Sequence, residues 1–223
     1  MATAETTPRT SATRSPRGRR VRRATGDERE KAILETAERL LGERSLSEIS
    51  VDDLARGAGI SRPSFYFYFS SKEAVLLALL DRVAEEATAA RDDALEAPPE
   101  DPMEQLREGI RGTFETFRAH RAVMMAAAEV RSSSPEARDV WAGVMEGFVS
   151  GAATAIEEAR STGLAPAGIP ARQLAIALNL MNERVLHATF AGYEPSIPED
   201  EVVDALAAVW FSAIVGRPVP AGD

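Results

Sequence analysis

Residues Ser50–Lys72 read SVDDLARGAGISRPSFYFYFSSK, and their caps and breaks decide the fold around them. Ser50 followed by Asp53 is a capping box that opens a short helix. Val51, Leu54, Ala55 and Ala58 give that helix an apolar stripe. Gly57 and Gly59 end it, and Ile60 buries the turn. Ser61 caps a second helix, expected over 62–69, with Pro63 in its first turn, where a missing N–H costs nothing. Ser70 with Glu73 reads as a third capping box before a long helix. Two short helices across a tight Gly-containing turn are the means by which a helix is set into the major groove of DNA.

Outward from this stretch, every segment reads helical and the expected fold class is all-α. Ile33, Ala37, Leu40 and Leu41 mark an amphipathic helix of about 28–42. Packed on the helix pair, it makes a three-helix DNA-binding domain over 26–72. Val75, Leu76, Leu79, Leu80, Val83 and Ala87 line one face of a helix from Ser71 to about Glu96, and Pro98, Pro99 and Pro102 break the chain after it. Further helices are expected over about 103–119, 121–130, 136–162, 170–191 and 198–215. With the long helix they form a second, helical domain for ligand binding and dimerisation over 73–216, and 217–223 is a tail.

The chain has 223 residues, 44% of them hydrophobic, no cysteine and a net charge of −9. Without cysteine there is no disulfide and no thiolate chemistry, which suits a reducing cytoplasm. No run reaches the ~18 apolar residues needed to span a bilayer, and the polar N-terminus has no signal-peptide core, so no membrane partner is expected. The charge is unevenly divided. Residues 1–23 hold seven arginines against Glu5 alone; with a total of −9, the remainder carries −15. An Arg-rich arm over 1–25, with Arg19 and Arg20 at its centre, reads both as a disordered tail and as an arm that follows phosphates or enters a minor groove.

Within the second short helix, Phe65 and Phe69 at i, i+4 read as core. Arg62, Ser64, Tyr66, Phe67, Tyr68 and Lys72 spread around the other side. Phe67 exposes an aromatic ring that a thymine methyl would cover. In the helix over 170–191, Asn179 and Asn182 share one face among Leu178, Leu180, Met181, Val185 and Leu186. Two amides there need partners. A helix-to-helix hydrogen bond and a ligand in an apolar cavity both answer that need. Phe114, Phe117, Trp141, Met145, Phe148 and Trp210 each read first as core, and the wall of a cavity would carry the same signal. Gly143, Gly147 and Gly151 recur every four residues, a spacing open to close helix approach, to space for a ligand, and to glycines merely tolerated there. His120 and His187 are far apart in sequence, and no constellation of His, Ser and carboxylates suggests an active site, a metal or a cofactor.

The GISRPSFYFYFSSKEAVL run resembles the DNA-binding domain of the TetR family of bacterial repressors. ISVDDLARGAGISRPSFYFYFSSKEAVLLALLDRV and the later ALNLMNER with its trailing Phe190–Gly192 resemble the EthR-type branch, which controls ethionamide activation. The resemblance implies that Arg62 reads a guanine edge, and that Ser50, Tyr66, Tyr68 and Lys72 hold phosphates. It also implies that Asn179 and Asn182 face a ligand channel. Leu106, Thr113 and Gly151 stand where the branch is expected to carry large aromatics, so Leu106 and Thr113 join the expected ligand wall and the pocket differs in shape. The implied protein is a homodimer on a palindromic double-stranded DNA operator, released by a lipophilic small molecule and controlling a monooxygenase gene. Its last two helices would pair in a four-helix interface, with Leu174, Val202, Leu206 and Val209 contributing. A ligand-independent DNA-binding protein whose helical body only dimerises is the other reading. An enzyme is not expected.

Overall fold

A computed structural model describes residues 25–96 and 101–216, so the Arg-rich arm with Arg19 and Arg20 and the expected tail lie outside the described residues. Helix α1 (Gly26–Leu41) begins two residues before its expected start because Thr25 and Glu28 form a capping box. Its buried Ile33, Ala37, Leu40 and Leu41 face α2 (Val51–Gly57) and the helix pair's hydrophobic core. Ser50 and Asp53 cap α2 reciprocally: Asp53 N–H donates to Ser50 Oγ at 3.2 Å and Ser50 N–H to Asp53 Oδ2 at 3.1 Å.

Gly57 is the last residue of α2. A Cβ there would fall 2.2 Å from Thr36 Cγ2, so this glycine permits the close crossing of α1 and α2. Gly59, at φ +67°, makes the turn. Helix α3 (Arg62–Phe65), capped by Ser61, is shorter than the expected 62–69. Beyond it the chain continues in hydrogen-bonded turns, Tyr68 N–H to Phe65 O at 2.9 Å and Phe69 N–H to Phe65 O at 3.1 Å. Helix α4 (Lys72–Glu96) is capped by Ser71, whose Oγ accepts from Ala74 N–H, one residue later than the expected Ser70.

Helices α5 (Pro102–Ala119), α6 (Arg121–Arg131), α7 (Pro135–Ser161), α8 (Ala171–Ala191) and α9 (Val202–Val215) complete the all-α fold. The buried core falls into two clusters. One joins α1, α2, Phe65, Phe69 and the first three turns of α4 to Val123, Met124, Ala126 and Ala127 of α6. The other joins α5, α7, α8 and α9. Leu174, Val202 and Leu206, expected at a dimer interface, are buried in this second cluster. Val209 stays exposed, with Ile176 and Leu180 as the other large exposed apolar residues of α8 and α9. Among the described residues, no helix is long and apolar enough to cross a membrane.

Candidate functional site

Two surfaces gather the candidate residues. The first is the outer side of α3 and the turns after it. Phe65 and Phe69 are buried and hold this segment to the core, while Phe67 is 87% exposed. Tyr66, Arg62 and Ser50 are exposed as well, and Ser64 and Tyr68 are half-buried. Tyr66 sets its ring edge-on to Phe65 with centroids 5.6 Å apart. Arg62 Nη1 donates to Asp52 Oδ2 of α2 at 2.9 Å. A hydrogen bond with Tyr66 and the neighbouring Asp52 charge raise the guanidinium above its ordinary value, so it is a fixed cation. The two Ser50 hydrogen bonds lower the Asp53 carboxyl, keeping the α2 cap ionised.

Lys72 is placed differently from these side chains. Its Nζ donates to the carbonyls of Leu46, Ile49 and Ser47 at 2.7, 2.9 and 3.3 Å. An ammonium has three donors, so all of them are engaged in closing the 3-10 turn Leu46–Glu48. A cation at the start of α4, unfavourable to the helix dipole, is thereby accounted for.

The second surface is internal, a channel of two chambers between α4–α9. The outer one, about 450 Å³, lies among Leu106, Ile110, Ala152, Ala155 and Trp210 and reaches Arg91 and Gly151. The inner one, about 70 Å³, is bounded by Phe117, Met124, Trp141 and Phe190. Thr113, Phe148, Asn179, Asn182 and Leu186 border both, which makes the two asparagines the polar waist of the channel. At that waist Asn179 Nδ2 donates to Ala175 O at 2.9 Å, and Trp210 Nε1 donates to Asn182 Oδ1 at 2.9 Å. An indole N–H only donates, so the Asn182 amide orientation is fixed. Among the described residues no partner takes up Asn182 Nδ2 or Asn179 Oδ1. The Asn182 amide group therefore remains as donor and the Asn179 oxygen as acceptor.

Phe114 and Met145 are not part of this wall. Phe114 is buried in the second core, stacked on Phe190 at 5.6 Å. Met145 is half-buried on α7 and borders neither chamber. Gly143 and Gly147 have open space where a Cβ would be, whereas Gly151 makes room for the Arg91 guanidinium, 3.1 Å from its would-be Cβ. The space that a larger side chain would take at 151 is thus filled by an arginine, which also lies 5.7 Å from the Phe148 ring centroid.

Several wall residues escaped the sequence reading. Met124 lines the inner chamber and also belongs to the core shared with α1–α3. Its apolar periodicity on α6 was legible, its double membership was not. Arg131 and Glu183 also border the inner chamber. Glu183 sits in the ALNLMNER run beside Asn182, an acid on an otherwise apolar helix, and that was an available signal.

The comparisons agree with this geometry. The family described as "Bacterial regulatory proteins, tetR family" matches residues 33–79. The one described as "Transcriptional regulator EthR, C-terminal domain" matches residues 106–216. The HTH-type transcriptional regulator EthR of Mycobacterium tuberculosis is 52% identical over 203 residues, 91% of this chain and 94% of that protein. Its counterpart in Mycolicibacterium smegmatis is 48% identical over 212 residues, 95% of this chain and 97% of that protein. These relatives are named as transcriptional regulators, not as enzymes. A crystal structure of a TetR-family regulator from Syntrophomonas wolfei superposes with a TM-score of 0.73 at 20% identity, covering 88% of this chain and all of that one.

Proposed function

This chain belongs to the TetR family of bacterial transcriptional regulators and is EthR-like within it, and from that premise we propose that it is a repressor released from its operator by an uncharged lipophilic molecule in the channel. The observation that carries the proposal is the position of Met124. One side chain is shared by the channel wall and the core that holds α3. A ligand that presses on α6 acts directly on the packing that orients the DNA-reading segment. The α4 helix is a second lever, since its first turns lie in that same core. Release needs only that the ligand fit one spacing of the DNA-reading segments better than another. A hundredfold loss of operator affinity corresponds to about 2.7 kcal/mol, an ordinary coupling.

In this reading Arg62 takes a base edge, Phe67 covers a thymine methyl, and Ser50, Ser64, Tyr66 and Tyr68 hold register on phosphates. The arm with Arg19 and Arg20 adds charge contacts. Two copies pair through the exposed Ile176, Leu180 and Val209 of α8 and α9, setting the reading segments ~34 Å or a multiple apart on a palindromic site. The regulated gene is a monooxygenase. The ligand is an amphiphile whose carbonyl accepts from Asn182 Nδ2.

The Asn182–Trp210 hydrogen bond also favours a second reading, in which the asparagines serve only helix packing and DNA binding is independent of ligand. A DNA-shift titration on the protein's own upstream region, with and without a lipophilic ester, separates the two. Specific binding weakened by the ester supports release by ligand. Specific binding indifferent to a panel of esters and amides, with no thermal shift, leaves only the second reading.

A further inference from the structure

The inner chamber ends on a charge pair. Among the described residues, only three side chains able to carry charge border it: Arg131, Glu183 and His187. Arg131 is the last residue of α6, and Glu183 follows Asn182 on α8. Arg131 Nη2 is 2.9 Å from Glu183 Oε1, and the guanidinium lies 4.8 Å from the Trp141 ring centroid on α7. The two side chains are 30% and 22% exposed, so the pair is half-buried. Arg131 also borders the cleft between the α1–α2 connection and α8, and a surface pocket beside Arg138. Glu183 and His187 border that cleft too, so the pair stands between the channel and the cleft.

We infer that Glu183 sets the charge class of the ligand: by neutralising Arg131 in the wall of the inner chamber, it makes the channel select uncharged amphiphiles and reject long-chain carboxylates. The inference rests on the ligand-responsive reading above. A carboxylate head entering the inner chamber finds Arg131 engaged and Glu183 beside it. To bind, it must displace Glu183 from Arg131 and then share the chamber with that carboxylate, so the exchange costs an ion pair and sets two like charges side by side. An alkylammonium head meets the mirror-image obstacle, since taking Glu183 strands Arg131. An ester or amide needs neither exchange, because Asn179 Oδ1 and Asn182 Nδ2 already offer a neutral acceptor and donor.

Removing the Glu183 charge at constant shape turns this wall into a carboxylate site. The Arg131 fork, over the Trp141 ring, suits bidentate recognition once its counterion is gone. Removing the Arg131 charge does the same for an ammonium at Glu183. His187, one turn along α8 from Glu183, stands at the same chamber in every variant and does not change the comparison.

The test uses three probes of matched chain, methyl decanoate, decanoate and decylammonium, titrated into the full-length protein and into Glu183→Gln and Arg131→Gln. The native protein should bind the ester at least about tenfold more tightly than either ion, a difference of about 1.4 kcal/mol. Glu183→Gln should bring decanoate level with the ester, and Arg131→Gln should do so for decylammonium, with ester affinity little changed in both. Native binding of decanoate as tight as that of the ester overturns the inference, as does a folded Glu183→Gln with no gain for decanoate. Failure of all three probes to bind any of the three proteins, while specific DNA binding persists, overturns the ligand-responsive reading and this inference with it.

Discussion

Asn182 on α8 accepts a hydrogen bond from Trp210 Nε1 on α9 at 2.9 Å, and this single bond ties two helices together while aiming the remaining amide donor. Trp210 is buried, and Asn182 is the acceptor that its N–H has within the fold. Asn182→Leu should cost about 1–3 kcal/mol of stability, the desolvation cost of an unsatisfied donor, and should also abolish the response to ester ligands. Asn179→Leu strands no donor of another residue, because Asn179 bonds only to its own helix at Ala175 O. It should leave the melting temperature nearly unchanged while weakening ligand binding. Equal thermal losses in both variants would count against this division of roles.

Arg62 and Lys72 should behave differently when replaced by alanine. Arg62 holds only the exposed Asp52 and Tyr66, so Arg62→Ala should fold normally. It should lose about 1–3 kcal/mol of operator binding, and selectivity should relax at one base position. Lys72→Ala removes the donor to three carbonyls and should appear first as a lower melting temperature. A Lys72→Ala protein with native stability and a shallower salt dependence of DNA binding would instead place this lysine on a phosphate.

Gly57 is under steric constraint. Its would-be Cβ lies 2.2 Å from Thr36 Cγ2 and 3.1 Å from Thr36 Oγ1. Gly57→Ala should destabilise the N-terminal helices by about 1–3 kcal/mol despite the better helix propensity of alanine. Adding Thr36→Ala should recover most of the loss. If the double variant is as unstable as the sum of the single ones, the clash is not the cause.

Acid should loosen α7 from α8. Arg172 of α8 grips Glu146 of α7 with two hydrogen bonds of 2.7 and 2.8 Å, and with help from Ser150 holds its carboxyl at about 2 instead of 4.5. The folded value is depressed, so the contribution is present above pH 4.5 and is lost as pH falls toward about 2. Melting curves between these limits should fall less steeply for Glu146→Gln than for the native protein. Parallel curves would show that the pair contributes nothing measurable, as exposed pairs often do.

The sequence by itself determined the helices and their order, because caps, glycines and prolines act locally. Ser50 with Asp53, Ser61 with Pro63, and Gly59 place the DNA-reading segment within a residue or two, and the family resemblance follows from the same run. Helix ends shifted where two caps competed, as with Ser70 and Ser71, or where a helix gave way to tighter turns after Phe65. Tertiary structure alone decided which side of each helix faces what. Leu174, Val202 and Leu206 carry the same apolar signal as Val209, yet only Val209 is left outside, since burial depends on how α8 and α9 cross their neighbours. The same holds for Lys72, whose partners lie 23–26 residues away. Arg131 and Glu183, 52 residues apart, form a pair that no local pattern announces. Periodicity tells that a side chain is apolar or charged, whereas the charge balance of a cavity is a property of the groups that packing brings together.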